Sequence, residues 1–510
     1  MRGLGRLSDR AKILGVVALL SATAFRLPEL LNPGVVNSDS AIVGLQAMHI
    51  LHGEWHWFLW GSGYQTTADS VVAAAVFLIM GATPLALMLT ALVGHLLAIL
   101  FAFLTLCRRL SSTVALLLVT PLIASPAPTH TYTLHPPRQT ALTLVFVAIW
   151  IIDGAASARH KLTRFAIGAA IGALACFADP YALVFSPALA LLLVLASLDG
   201  TNSRGIWLRR ILAATAGASV GAIPYIVSRL LPQAAHGPLT LTSELFARNW
   251  ALLKRPCLPW VLGTTVLHQP PGASDYVLWH PPWPFQVCQW FGVAAFVAAF
   301  IVSIGAFRRQ DVPWESRRLG LMAALTALAT IVGFLLSVMP MDHYASRYLV
   351  SLILVAPFLF AVLAHIVSAR LLFALMVPML ASFAVSGWLG YEPFVKGIRI
   401  VDAGLDADES RLLSELKRRN IAYALADYWA AYRLSFMFKE QVVVVPLHES
   451  QDRYAAYRQD FGRARNYAYI YDHRRSEESQ QTVESRVANG LEEKFSVGGF
   501  DVYRISRDME

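Results

Sequence analysis

A polytopic α-helical membrane protein with a small C-terminal α/β soluble domain is the fold class this sequence predicts, and three observations predict it. Of 510 residues, 56% are hydrophobic and only 15% charged, with a mean hydropathy of +0.52, a balance that excludes a water-soluble globule of this size. Apolar runs of roughly 20 residues recur, long enough to cross the hydrocarbon as helices whose backbone groups are satisfied internally. After Leu389 the composition changes abruptly, and Lys, Arg, Asp and Glu become frequent. The expected organisation is therefore a membrane domain over 1–389 and a soluble α/β domain over 390–510.

About eleven spans meet the length criterion. They run from Lys12 to Leu30, Pro84 to Leu106, Thr113 to Ala124, Gln139 to Ile152, Phe165 to Phe177, Tyr181 to Leu198, Leu208 to Ile226, Gln286 to Phe307, Leu319 to Met339, Tyr348 to Ser368 and Leu371 to Leu389. Basic residues gather on alternate connections: Arg2, Arg6, Arg10 and Lys12; Arg108 and Arg109; Arg159, Lys161 and Arg164; Arg204, Arg209 and Arg210; Arg308, Arg309, Arg317 and Arg318; then Arg370. The positive-inside rule places these in the cytoplasm. An odd number of crossings then puts the first loop and everything beyond Leu389 outside, so the C-terminal domain is expected to be extracytoplasmic. A basic start and Ser21-Ala22-Thr23-Ala24 also fit a cleavable signal peptide, which leaves the first loop outside all the same.

The net charge of +9 resides mostly in the short cytoplasmic connections, where it meets anionic membrane lipids; no nucleic-acid partner is implied. Cys107 and Cys176 fall in predicted spans and act as small apolar residues. Cys257 and Cys288 fall at the outer face, where an oxidising compartment can join them or leave them as two thiols.

Three outer loops are long or chemically loaded: Pro33 to Ser70, Ser125 to Arg138, and Leu230 to Phe285. In the first, Ser40 to Leu51 reads as a surface helix capped by Ser38 or Asp39 and ended at His52 and Gly53. Asp69 to Met80 reads as a second, ended by Gly81 and followed by Pro84. The pair would roof a cavity, with the Leu230–Phe285 loop and its Trp250, Trp260, Trp279 and Trp283 as a lid. In the soluble domain, Ser410 to Arg419 and Tyr428 to Phe438 read as helices. Ile421 to Leu425, Gln441 to Val445, Asn466 to Tyr471 and Phe500 to Ile505 read as strands.

Asp39 lies a few residues beyond the first span, and Glu54, Trp57 and Tyr64 follow it in an aromatic and polar stretch suited to a sugar or a lipid headgroup. Asp69, His135, Arg138 and the turn Ser346-Arg347-Tyr348-Leu349 add polar groups at the same edge. An acid soon after the first span, two interfacial helices, about eleven spans and that Arg-Tyr turn together resemble the GT-C superfamily of integral-membrane glycosyltransferases. Within it the chain is similar to bacterial protein mannosyltransferases and aminoarabinose transferases. It departs from the adjacent acid pair of many relatives, since Asp39 is followed by Ser40.

The resemblance implies transfer of a hexosyl or pentosyl group from a polyprenyl-phosphate sugar to an extracytoplasmic lipid, glycan or protein. Such a transfer requires a base for the attacking hydroxyl and positive charge for the departing phosphate. Asp39 is the expected base. Arg347 is the expected phosphate ligand, followed by Arg138, Lys254 and Arg229, because these cations stay charged at a membrane edge. Glu54, Trp57, Tyr64, Asp69, His135 and Tyr348 are the expected substrate contacts; in the soluble domain Asp427-Tyr428-Trp429 and Tyr432-Arg433 read as acceptor contacts, with Trp429 as a core residue as the plainer role, and the domain is given no catalytic role. No cofactor is assigned; the spacing of His49, His52 and His56 leaves a divalent metal as an alternative.

Plainer roles compete. Asp39 fits a helix cap, Arg347 an ion pair with Asp342 or a snorkelling cation, and Asp69 and Asp179 turn or cap residues. A transporter or flippase of a lipid-linked saccharide is the alternative function; it would place ionisable residues deep in several spans.

Overall fold

Nine helices among the described residues are long and apolar enough to cross a membrane, and a bent pair adds a tenth span if counted as one. The chain is a multi-pass membrane protein. The computed structural model describes residues 8–32, 36–155, 160–199, 203–231, 242–268, 277–390, 407–473, 479–488 and 490–506. Arg2, Arg6, Arg159 and the stretches 232–241 and 269–276 of the expected lid lie outside them.

Two of the three shortest expected spans differ most from expectation. Thr113 to Ala124 is only the first half of the bent pair, Ser112–Ile123 and Ala127–Leu134, which turns by 86°. The break falls at Ala124-Ser125-Pro126, because Pro126 disfavours helical geometry at the Ser125 before it, and the second helix starts at Ala127. Much of the expected Ser125–Arg138 loop is thus helical. Gln139–Asp153, at 15 residues, reaches about 22 Å, less than the ~30 Å hydrocarbon thickness.

The chain divides into two units. The first comprises Met1–Leu27, Leu92–Leu134 and Arg138–Pro393. Several span ends converge in it. Arg10 donates to Thr113 at 2.9 Å. The fully buried Asp153 carboxylate meets Arg109 at 2.5 Å, Arg108 at 3.1 Å and Arg318 at 3.3 Å, while Arg318 also reaches Asp199 at 2.9 Å. These contacts place residues 10, 108–113, 153, 199 and 318 at one end, the end the charge pattern assigns to the cytoplasm. The helices Lys161–Ala178 and Arg204–Arg229 pack closely. A Cβ at Gly217 or Gly221 would overlap the carbonyl oxygens of Ala166 and Ala170, the close backbone approach that small residues four apart allow.

Within the expected lid lie the helix Ser243–Leu252, the π-turn Leu253–Cys257 and the short helix Leu258–Val261. A small antiparallel pair follows, β1 (Val266–His268) with β2 (Val277–Trp279). Cys257 and Cys288 are unpaired. The Cys257 thiol instead points at the carbonyls of Asp342 and His343, at 3.7 and 3.8 Å.

The second unit comprises Pro28–Ala91, His135–Pro137 and Phe394–Glu510. It therefore includes the first loop as well as the soluble module. The loop helices are Ser38–Leu51 and Ala68–Met80, close to expectation. The first is capped by Asn37, whose side chain accepts from the Ser40 N–H at 2.9 Å, and not by Ser38 or Asp39. Beyond it stand β3 (Tyr423–Ala426), β4 (Val443–Pro446), β5 (Asn466–Asp472), β6 (Leu491–Val497) and β7 (Phe500–Ser506). Their order is β4-β3-β5-β7-β6, with β3, β4 and β5 parallel and β7 antiparallel to both neighbours.

Helix Tyr428–Met437 crosses from β3 to β4, and Ala455–Arg463 from β4 to β5. The first crossover is buried along nearly its whole length, because it packs on the sheet and on the Ser38–Leu51 helix. Gly44 makes room there: a Cβ would lie 2.6 Å from the Phe436 ring. Ser435 closes the other face, its hydroxyl bonded to the N–H and the C=O of Val444.

Candidate active site

Asp39 occupies the first turn of the Ser38–Leu51 helix. Since Asn37 holds the cap, the Asp39 carboxylate is left to side chains. It accepts a hydrogen bond of 2.5 Å from the Tyr428 hydroxyl. Tyr428 itself is fixed from several sides. Its carbonyl accepts from the Ser38 hydroxyl at 2.5 Å, its ring lies 6.0 Å from that of Tyr432, and the Arg453 guanidinium sits 5.4 Å from its ring centre. Arg453 also donates to the Tyr428 oxygen at 3.3 Å and to the Gly61 carbonyl at 3.1 Å. Burial, reinforced by the Asp39 charge, pushes the Tyr428 phenol well above its ordinary value. Tyr428 therefore remains a donor to the carboxylate at any physiological pH.

A second cluster stands further along the same loop. His49 lies between two carboxylates, with Nδ1 at 2.5 Å from Glu54 and Nε2 at 2.7 Å from Glu440. Glu54 also holds His56 at 2.7 Å and accepts from the Tyr454 hydroxyl at 2.6 Å. Glu440 accepts from Tyr457 at 2.5 Å. Burial alone would lower the His49 pKa, but its hydrogen bonds to Glu440 and Glu54 win and raise it. Burial likewise opposes ionisation of Glu54, yet His49, Tyr454 and His56 bring its pKa down to about 2. Trp60 stacks on Tyr454, ring centres 4.0 Å apart, and lies edge-on to His49 at 4.9 Å. Glu54 and His49 thus fasten the loop to the soluble module. Among the described residues no three His, Cys, Asp or Glu side chains form a group able to hold a metal ion.

The other expected contacts of this unit are dispersed. Asp69 is buried in the first turn of its helix, beside Ser70, which donates to Gln46 at 2.8 Å. Trp57 is 40% exposed and meets Trp55 edge-on. Tyr64 lies close enough to Arg453 to act on its charge. His135 contacts the fully buried Glu29 at 3.0 Å, and the neighbouring Pro136 carbonyl accepts from Ser40 at 3.1 Å.

In the membrane unit, three expected residues converge. The guanidinium carbons of Arg138 and Arg347 lie 5.5 and 5.1 Å from the centre of the Tyr348 ring. Arg138 is additionally packed on Tyr132 and Tyr181, at 4.9 and 5.5 Å, and donates to Asp179 at 3.1 Å. Asp179 in turn caps the turn Pro180–Phe185 through the Tyr181 N–H. Arg347 donates to the Tyr348 hydroxyl at 3.2 Å, whereas Asp342 accepts from the Tyr344 N–H at 2.8 Å. Arg347 and Tyr348 belong to the 3-10 turn His343–Leu349, against which the π-turn carrying Lys254 packs. Lys254 is exposed, and Arg229 lies over Tyr225 of its own helix at 5.0 Å.

Sequence reasoning read Tyr428 only as an acceptor contact and missed its bond to Asp39, and it missed Arg453, Glu440 and Glu29. The first three stand in a module read as non-catalytic, and their partners lie about four hundred residues away in sequence. Glu29 was legible as the lone acid at the outer end of the first span. Arg26, one turn before it, is also fully buried; it bonds His95 at 2.9 Å and the carbonyls of Leu122 and Ile123.

No protein-family model and no curated protein sequence matches this chain. Its fold is similar to that of ArnT, an aminoarabinose transferase, from Cupriavidus metallidurans. The apo structure of that protein aligns with a TM-score of 0.57 and 12% identity, covering 96% of this chain and 97% of the other. The structure of ArnT bound to undecaprenyl phosphate aligns with a TM-score of 0.56, again at 12% identity, over 98% of each chain. The chain has a GT-C-like fold.

Proposed function

We propose that this GT-C-like membrane protein is a glycosyltransferase that moves a sugar from a polyprenyl-phosphate donor to an extracytoplasmic acceptor, with Asp39 as general base. Its membrane domain would span 1–389, and the soluble domain 390–510 would lie outside the bacterial inner membrane. The likeness to ArnT, one of whose structures holds undecaprenyl phosphate, supports the donor class. The observation that carries the reading is Asp39: a half-buried carboxylate in the first turn of a helix, with the cap role taken by another residue and its own oxygen fixed by a phenol at 2.5 Å.

The chemistry follows from these groups. An acceptor hydroxyl attacks the anomeric carbon of the donor as its proton passes to the Asp39 carboxylate. A new carbon–oxygen bond forms at that carbon while the bond to the phosphate oxygen breaks, and the electron pair leaves with polyprenyl phosphate. Arg347 and Arg138, gathered on the Tyr348 ring, are the cations proposed for the phosphate, since a guanidinium pairs two oxygens at once. Lys254 and Arg229 are lesser candidates. Glu54, Trp57, Tyr64, Asp69, His135 and Tyr348 remain the proposed substrate contacts, though Glu54 already serves His49 and His56.

Transfer of labelled sugar from a polyprenyl phosphate in liposomes tests this reading. Asp39→Asn keeps the shape and removes the proton acceptor, so kcat should fall about 10²- to 10⁴-fold with donor binding retained. Wild-type turnover in the variant would remove Asp39 from the chemistry.

A further inference from the structure

The soluble module is a small doubly wound sheet, and its topology singles out one place. From β3 the chain crosses to β4 on one side and then returns to β5 on the other. The carboxyl ends of β3 and β5 therefore flank a topological switch point, where open α/β sheets leave a crevice for ligands. The residues that follow β3 are Asp427, Tyr428 and Trp429. Asp427 is consumed as the cap of the next helix, accepting from the Trp429 N–H at 3.3 Å. Tyr428 is the next side chain after the carboxyl end of β3, and what it meets is Asp39.

We propose that Tyr428 is a positioning residue for the Asp39 carboxylate, so that the soluble module completes the catalytic apparatus. The inference rests on the reading of Asp39 as the base. Three observations on the page carry it. The Tyr428–Asp39 hydrogen bond is short and partly buried, at 2.5 Å. The backbone on both sides is tied at the same point, with the Ser38 hydroxyl on the Tyr428 carbonyl and the Arg433 N–H on the Ser38 oxygen at 3.4 Å. Arg453 stands behind the phenol and gives it a cationic neighbour.

The chemical effect is specific. A base of two equivalent oxygens can rotate; one oxygen fixed by a phenol leaves the other aimed. Arg453, donating to the Tyr428 oxygen at 3.3 Å, holds the phenol in that position in turn.

Tyr428→Phe removes the hydroxyl and keeps the ring that Tyr432 and Arg453 pack on. Two measurements on the full-length protein decide the matter. The first needs no turnover: Asp39 is modified with a water-soluble carbodiimide and glycine ethyl ester across pH, and its peptide is quantified by mass spectrometry. At any one pH, removing the phenol frees the carboxylate oxygen that it holds, so the labelling rate of Asp39, relative to other carboxyl peptides of the same protein, should rise severalfold in Tyr428→Phe. Arg453→Gln should move it the same way. An unchanged relative rate in both variants overturns the proposal.

The second measurement is sugar transfer. Tyr428→Phe should lower kcat about tenfold or more with little change in the donor KM, and should have no further effect when added to Asp39→Asn. An equal loss in both backgrounds would make Tyr428 merely structural. If the wild type transfers no sugar, the function proposed above fails by itself, and the labelling rate still decides whether Tyr428 holds Asp39.

Discussion

His49 shows how one side chain can set the pH range of a joint. Its imidazole is held by Glu54 and Glu440, and its raised pKa means that its contribution to stability is complete below the unfolded value of 6.5 and is lost as pH rises through the higher folded value. Glu54 carries the opposite sign. Its folded pKa of about 2, against an ordinary value of 4.5, gives stability that is present above 4.5 and lost as pH falls toward 2. The joint is therefore strongest between about pH 4.5 and 6.5 and loosens in both directions. Melting temperatures of wild type and His49→Gln, taken from pH 4.5 to 9, should differ most below pH 6.5 and converge at alkaline pH. A difference that stays constant with pH would mean that packing against Trp60 and Tyr454, and not charge, holds the loop.

At the scale of elements, the tightest contact in the membrane unit is between the helices Lys161–Ala178 and Arg204–Arg229. Gly217 and Gly221 lie on the carbonyls of Ala166 and Ala170, backbone that cannot swing aside. Gly221→Leu should separate the pair and destabilise the protein by about 1 to 3 kcal/mol, read as a lower melting temperature in detergent; Gly205→Leu, near the exposed start of the same helix, should change it little. Such pairs are legible in sequence as small residues four apart, and long spans are legible as apolar length. What was not legible is informative. Ser125 to Arg138 read as a loop because its prolines and histidines break apolar periodicity, yet Ala127–Leu134 is a helix bent from its predecessor. Strand β6 has Leu491, Phe495 and Val497 among Glu492, Glu493, Lys494 and Ser496, too polar a run to stand out, and it exists because it pairs with β7 through the Gly498 turn. Asp39 was found from its position after a span; its partner Tyr428 was not, because no local rule connects residues 389 positions apart.

Across the whole molecule, the placement of charge separates transfer at a surface from passage through the bilayer. A transporter should carry ionisable groups midway along several spans. Here Asp153, Arg108, Arg109, Arg318 and Asp199 meet at span ends, and Arg10 joins the same end through Thr113. Arg26 and Glu29 stand in the last turns of the first span. This distribution favours catalysis at one face. It also bears on parity. Ser112 starts and Asp153 finishes at that common end, so the bent pair and Gln139–Asp153 either both cross or together form a re-entrant excursion, and the crossings among the described residues total eleven or nine. Either number is odd, which would place the C-terminal module opposite the amino terminus. Cysteines introduced singly into a variant lacking the four native ones test this in right-side-out vesicles with a membrane-impermeant maleimide. His52→Cys in the first loop and Ser479→Cys in the soluble module, both exposed, should label at once, and Ser203→Cys, just before the basic start of Arg204–Arg229, only after permeabilisation. Labelling of Ser203→Cys together with protection of Ser479→Cys would invert the topology and place Asp39 on the cytoplasmic side, where an extracytoplasmic acceptor could not reach it.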